Sequence, residues 1–113
     1  AKVSGQTFDD FLQDVFFKPL DLQNTGTFNN ASPPEGIAKG YSYRDDKFVP
    51  AIDWDMSWAY GAGSLYSTVG DLYRWTEALH AGKVISEETL KLATAPFKLP
   101  DGVDSSNYGY GLV

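Results

Sequence analysis

The side chains able to do chemistry are few, and their spacing restricts them further. His80 is the single histidine. A Ser-His-Asp triad would pair it with a carboxylate and with a serine on a strained turn. No Gly-x-Ser-x-Gly stands in the chain, and His80 reads instead as a surface residue in the last turn of a helix, where a cation is mildly favoured. One histidine and scattered carboxylates give no metal-ligand spacing, so no metal site is expected. Asp53 and Asp55 lie two apart beside tryptophans, a conceivable glycosidase pair. That spacing is the commoner signature of loop caps and solvated turns. Gly61-Ala62-Gly63 opens like a dinucleotide fingerprint, but its third glycine and its strand-to-helix frame are missing. Asn30-Ala31-Ser32 has the form of a glycosylation acceptor with Pro33 behind it. Trp54, Trp58, Tyr60 and Tyr66 cluster in one stretch. Aromatics in a loop either pack inward or line a cleft, and the residues alone leave both readings open.

The elements that must position these groups are easier to read. Thr7-Phe8-Asp9-Asp10 resembles a capping box with Asp in place of Glu. Phe8, Phe11, Leu12, Val15 and Phe16 then fall on one helical face, and Pro19 forces the stop, which predicts a helix over Phe8–Lys18. From Leu20 to Gly36 the chain is loop, with Asn24-Thr25-Gly26 as a turn. Ile37–Tyr43 and Phe48–Ile52 read as strands joined by the polar turn Arg44–Lys47, with Pro50 marking an edge. Thr68 and Asp71 mark a second helix start. Val69, Leu72, Thr76 and Leu79 form its stripe, widened by Tyr73 and Trp75, and Gly82 stops it. Ser86 caps a third helix that Pro96 closes, with Ile85 and Leu90 placed as a hydrophobic staple. Lys98–Asn107 reads as polar loop, and Tyr108–Val113 as a strand beginning. The opening Ala1–Gly5 resembles a helix tail closing at Gly5, so both ends read as cut rather than finished.

Composition bounds the function. The chain has 113 residues, 42% apolar and 15% aromatic, which suits one folded domain. Its 9 basic and 15 acidic side chains give a net charge of −6. No basic stripe is available to release counterions from a phosphate backbone, so a nucleic-acid partner is not expected. The absence of cysteine excludes disulfides, thiol catalysis and Cys-based zinc sites. No apolar run approaches the ~20 residues of a membrane span.

Read together, several segments resemble the penicillin-recognising serine hydrolases, the family of class C β-lactamases, DD-peptidases and related esterases. Val3-Ser4-Gly5-Gln6-Thr7-Phe8 resembles that family's VSG-x-S/T-aromatic helix start. Phe17-Lys18-Pro19-Leu20-Asp21-Leu22-Gln23-Asn24-Thr25-Gly26 is similar to F-x-PLGM-x-x-TG. Tyr60-Gly61-Ala62-Gly63-Ser64-Leu65-Tyr66-Ser67-Thr68, with Asp71-Leu72 and Trp75, is similar to GAGG-x-x-ST-x-x-DLARW. Tyr108-Gly109-Tyr110-Gly111-Leu112 resembles the YGLGW strand. The departures are Asp21 and Leu22 for Gly and Met, and Ser64 for the second Gly.

The resemblance implies a mainly helical α+β piece, three helices with a small β-hairpin, from the helical subdomain of a β-lactamase-like fold. Residues 1–113 would be a single internal stretch of that domain, with the rest of the hydrolase domain as its partner. The family works through a Ser and a Lys in S-x-x-K, a Tyr in Y-x-N and a downstream K- or H-x-G strand, forming an acyl-enzyme without metal or cofactor. Here no Ser has Lys three residues on, no Tyr is followed by x-Asn, and no Lys- or His-x-Gly stands in a suitable place. No catalytic residue is therefore assigned. By the resemblance, the catalytic triplets lie outside residues 1–113, and this stretch contributes a cleft wall with Trp58 and Tyr60 nearest an amide or ester substrate. The family also implies an extracytoplasmic setting. The rival reading is a non-catalytic module binding carbohydrate or protein through its aromatics.

Overall fold

Helix initiation is decided by three hydroxyls. The computed structural model describes residues 2–96 and 109–111. In it Thr7, Thr68 and Ser86 each take the extended N-cap conformation and accept a hydrogen bond from the amide three residues on, Asp10, Asp71 and Thr89. Each cap satisfies one of the amides a helix start leaves without a partner. The helices that follow are α1 (Phe8–Leu12), α2 (Val69–His80) and α3 (Glu87–Thr94).

The first predicted helix is nearly right in extent, but only its first half, Phe8–Leu12, is α. After α1 the chain widens into a π-helical turn, Gln13–Phe17, in which the Lys18 amide reaches back to the Gln13 carbonyl at 3.0 Å. Pro19 supplies no amide, which removes the bond an α-helix would need next. The wide turn rotates the residues that follow. Phe17, off the expected stripe, is consequently buried, while Val15, on it, is exposed. Phe16 meets Trp75 edge to face at 5.8 Å between ring centroids.

β1 (Gly26–Thr27) pairs antiparallel with β4 (Leu65–Tyr66), Gly26 opposite Tyr66. A Cβ at Gly26 would stand 2.7 Å from the Tyr66 hydroxyl, so only glycine lets that ring lie across the strand. β2 (Tyr41–Arg44) and β3 (Lys47–Pro50) form the expected hairpin, shifted inward at both ends. Its two turn residues, Asp45 and Asp46, have φ of 49° and 57°, the left-handed pair that a tight hairpin turn requires. The register sets Tyr41 against Pro50 and Tyr43 against Phe48, and the last two rings touch at 5.1 Å.

α2 ends as its glycine predicts. Lys83 N–H reaches the Ala78 carbonyl, Gly82 N–H reaches that of Leu79, and Gly82 has φ 70°. That is the double closure of a Schellman motif. The apolar stripe of α2 is only partly covered, however. Leu79 is buried and Trp75 half-buried, but Val69, Leu72 and Tyr73 are exposed, and Ala78 and Asp71 are buried instead. Among the described residues the apolar core is Phe17, Leu22, Ala78 and Leu79. The radius of gyration is 17.5 Å, against about 13 Å for a self-contained domain of this length. Large apolar faces therefore lie open on an expanded chain.

Among the described residues the class is α+β, three α-helices with small antiparallel strand pairs. No described helix is long and apolar enough to cross a membrane. The loop expected over Lys98–Asn107 and most of the strand expected over Tyr108–Val113 lie outside the described residues. Of that strand, Tyr110 donates its amide to the Ala93 carbonyl at 2.8 Å.

Candidate functional site

Asp71 is the knot of the molecule. Its carboxylate is 0% exposed. Oδ2 accepts from the Asn24 amide at 2.7 Å and the Thr25 hydroxyl at 2.9 Å, and Oδ1 accepts from Arg74 at 2.9 Å. Burial alone would raise this carboxyl, but the Asn24 and Thr25 bonds and the Arg74 guanidinium outweigh it and hold it below its ordinary value. The turn after the π segment is thereby fastened to the first turn of α2. The sequence marked Asp71 as a helix-start residue and gave no sign of this second duty, which depends on partners 46 and 47 residues away.

Asp21, where the family pattern has glycine, has φ 55°. The glycine of the pattern is explained by that left-handed backbone, and Asp is among the residues that tolerate it.

Above this base stands the aromatic loop. Asp55 turns its carboxylate onto the Ser57 amide at 3.0 Å and starts a 3₁₀ turn, Met56–Trp58. Hydrogen bonds from Ser57, through its hydroxyl and then its amide, hold the Asp55 carboxyl below its ordinary value. A second 3₁₀ turn, Tyr60–Ala62, follows. The Tyr60 carbonyl accepts from both the Ser64 amide at 3.0 Å and the Ser64 hydroxyl at 2.6 Å. Ser64 is buried, and its own carbonyl accepts from the Phe28 amide. The serine that departs from the family glycine is thus fully partnered. Asn30, noted above only as a glycosylation acceptor, joins the loop from below. Its Nδ2 donates to the Trp54 carbonyl at 2.7 Å and its Oδ1 accepts from the Met56 amide at 2.8 Å.

The sequence-predicted residues fall as follows. Trp58 is 85% exposed, and Tyr60 is 60% exposed with its ring stacked on Phe8 at 4.7 Å between centroids. Tyr60 also has φ 44°, a left-handed backbone that a bulky aromatic seldom adopts. It lines a hollow of about 290 Å³ with Ser4, Thr7, Phe8 and Phe11. Asp55 is a loop cap, as its spacing suggested. His80 closes α2, its Nδ1–H donating to the Thr76 carbonyl at 2.9 Å, so His80-Ala81-Gly82 is a helix end and not a catalytic strand. Among the described residues no group of three or more His, Asp or Glu side chains gathers to hold a metal ion.

A larger apolar groove of about 500 Å³ runs between the π segment and α2, bordered by Leu12, Phe16, Leu65, Leu72 and Trp75. Its walls are the open apolar faces noted above.

Comparison with known proteins agrees with this architecture. The family described as Beta-lactamase matches residues 1–113. PbpX of Bacillus subtilis, which bears the name of a penicillin-binding protein, is 30% identical over 111 residues, covering 98% of this chain and 27% of PbpX. The D-stereospecific amidohydrolase of a Streptomyces species superposes with a TM-score of 0.74 at 26% identity, covering 97% of this chain and 33% of that one. The D-amino acid amidase of Ochrobactrum anthropi SV3 gives 0.74 at 26% identity, covering 88% and 31%. The chain spans about a quarter of the length of the curated relatives it matches.

Proposed function

Because this chain belongs to the Beta-lactamase family along all of residues 1–113, we propose that it forms one wall of the active-site cleft of a serine hydrolase. Trp58 and Tyr60 are its substrate-contacting residues. The nucleophilic Ser, with its Lys and Tyr partners, comes from other parts of the protein, since no S-x-x-K or Y-x-N stands here. In that chemistry the Ser hydroxyl attacks the substrate carbonyl and the C–N or C–O bond breaks. The amine or alcohol takes the proton and leaves (in a β-lactam it stays tethered by the opened ring), and water then releases the acid from the acyl-enzyme. Substrates are small amides or esters, in the class that includes β-lactams and D-amino acid amides. The protein works outside the cytoplasm, and the rest of its hydrolase domain covers Val69, Leu72 and Tyr73.

The observation that carries this reading is Tyr60. An aromatic residue held in left-handed backbone, pinned through its carbonyl by Ser64 yet 60% exposed, is strained and presented at once. Backbone strain of this kind persists where function uses it. The phenol offers an apolar face to a substrate while its hydroxyl stays wet.

The test is made on the intact protein with a chromogenic penicillin and a chromogenic D-amino acid amide. Mass spectrometry is expected to find the acyl adduct on a Ser outside residues 1–113. Trp58→Ala and Tyr60→Ala are expected to lower kcat/KM by about 1–2 kcal/mol, the size of a lost aromatic contact, with the melting temperature nearly unchanged. An adduct on a Ser within these residues, or variants that melt early and turn over normally, refutes the reading.

A further inference from the structure

The aromatic loop is bonded internally from Asp55 onward, but its entry is held from outside. Its backbone between Trp54 and Met56 is bridged from outside by one side chain, the Asn30 carboxamide, which gives a donor to the Trp54 carbonyl and an acceptor to the Met56 amide at 2.7 and 2.8 Å. The two partners settle the orientation of the amide, since a carbonyl can only accept and an N–H can only donate. From Met56 the bonding runs on without a gap. The Ala59 amide donates to the Met56 carbonyl at 3.1 Å, the Ala62 amide to the Ala59 carbonyl at 2.8 Å, and Ser64 closes on Tyr60. Trp58 and Tyr60 ride on this series.

Asn30 is itself fixed at both sides. The preceding Phe28 amide bonds the Ser64 carbonyl, and Asn29 accepts from the Ala31 amide at 2.9 Å through its side chain and from the Ser32 amide at 3.1 Å through its backbone. A hollow of about 490 Å³ opens beside the joint, bordered by Phe28, Asn29, Asn30, Asp55 and Ser57. The nitrogen that Asn30-Ala31-Ser32 would offer to a sugar is engaged with Trp54 instead.

We infer that Asn30 is a positioning residue, which sets where the Trp58–Tyr60 wall stands and so governs discrimination between bulky and small acyl groups. The inference rests on the reading of Trp58 and Tyr60 as a cleft wall. Few side chains serve at this joint. Asp has acceptors only and would repel the Trp54 carbonyl, and Ala gives both backbone groups up to water and unties the joint.

The experiment uses the intact protein and its Asn30→Ala, Asn30→Asp, Trp58→Ala and Tyr60→Ala forms. Hydrogen exchange at the Met56 amide reads the bridge directly. Turnover of D-phenylalanine p-nitroanilide and D-alanine p-nitroanilide reads its consequence. In Asn30→Ala the Met56 amide is expected to lose about tenfold in protection, the equivalent of one hydrogen bond. In the isosteric Asn30→Asp the Trp54 carbonyl faces a like charge, and the preference for the phenylalanine substrate is expected to fall about fivefold through KM, with kcat on the alanine substrate within about twofold. Unchanged Met56 protection in Asn30→Ala overturns the bridge. Equal losses on both substrates overturn the positioning role and leave Asn30 a support of the fold. If Trp58→Ala and Tyr60→Ala discriminate like the parent, the cleft reading falls with the inference, and Met56 exchange still tells whether the bridge exists.

Discussion

Replacing Asp71 with Ala removes an acceptor that serves three donors at once. Hydrogen bonds to a charged group contribute about 1.5–3 kcal/mol each, but the three do not count equally. Thr25 has the Ser67 hydroxyl at 2.8 Å as a second partner. Arg74 is half exposed and returns to water, so its share is about 0–1 kcal/mol. The Asn24 amide has no second protein partner among the described residues. The expected loss is therefore about 2–4 kcal/mol for Asp71→Ala, carried mainly by Asn24. Asp71→Asn keeps one oxygen for Asn24 and Thr25 and should lose about half of that, while Arg74→Ala should lose under about 1 kcal/mol. Urea unfolding of the protein, with slopes compared between variants, reads these values. The pH dependence has a fixed sign. The folded carboxyl lies below its ordinary value of 3.8. Its contribution is complete above that value and is lost as the pH falls through the lower folded one. The gap between the wild type and Asp71→Asn should hold from neutrality to about pH 5 and close below about pH 4. If Arg74→Ala costs as much as Asp71→Ala, the knot is an ion pair and the reasoning is wrong. A gap that widens in acid refutes it equally.

Asp21→Gly should stabilise the protein by about 0.5–1 kcal/mol, since it relieves left-handed strain at the cost of chain entropy, and thermal melting checks it. Gly26→Ala should lose about 1–3 kcal/mol, because the new methyl meets the Tyr66 ring; a paired Tyr66→Phe change that restores nothing would show that the ring carbons, not the hydroxyl alone, are the obstacle. Ser86→Ala should lose about 1 kcal/mol through the α3 cap, seen as faster amide exchange at Thr89 before any global change.

The local rules were legible because their causes are local. Thr7, Thr68 and Ser86 announce their helices through a hydroxyl and an amide three residues away, and Asp45-Asp46 sits where a left-handed turn is needed. What stayed hidden depends on distant partners. Nothing near Asp71 reveals that Asn24 will donate to it, and nothing near Asn30 points to Trp54 and Met56. The π turn was missed because apolar spacing describes an α-helix, whereas Pro19 changes the hydrogen-bond count just downstream. The apolar stripe on α2 was legible, but which of its residues are covered was not, since Val69 and Leu72 have no cover within the described residues. Trp58 and Tyr60 were singled out by the family resemblance, and the structure adds the stacking on Phe8 and the left-handed backbone that distinguish Tyr60 from its neighbours.

The base formed by β1, β4 and Asp71 has a consequence for how such a protein diversifies. Pairing Gly26 with Tyr66 and Asn24 with Asp71 shuts residues 28–64 into an excursion whose two feet are welded together. For a loop closed at its feet, doubling the length adds only about 0.6 kcal/mol of closure entropy. The hairpin and the aromatic loop can therefore be lengthened, shortened or exchanged while the scaffold beneath registers little of it. Sequence change thus has an interchangeable cassette in which to work, and the weld at its base is the part it must leave alone.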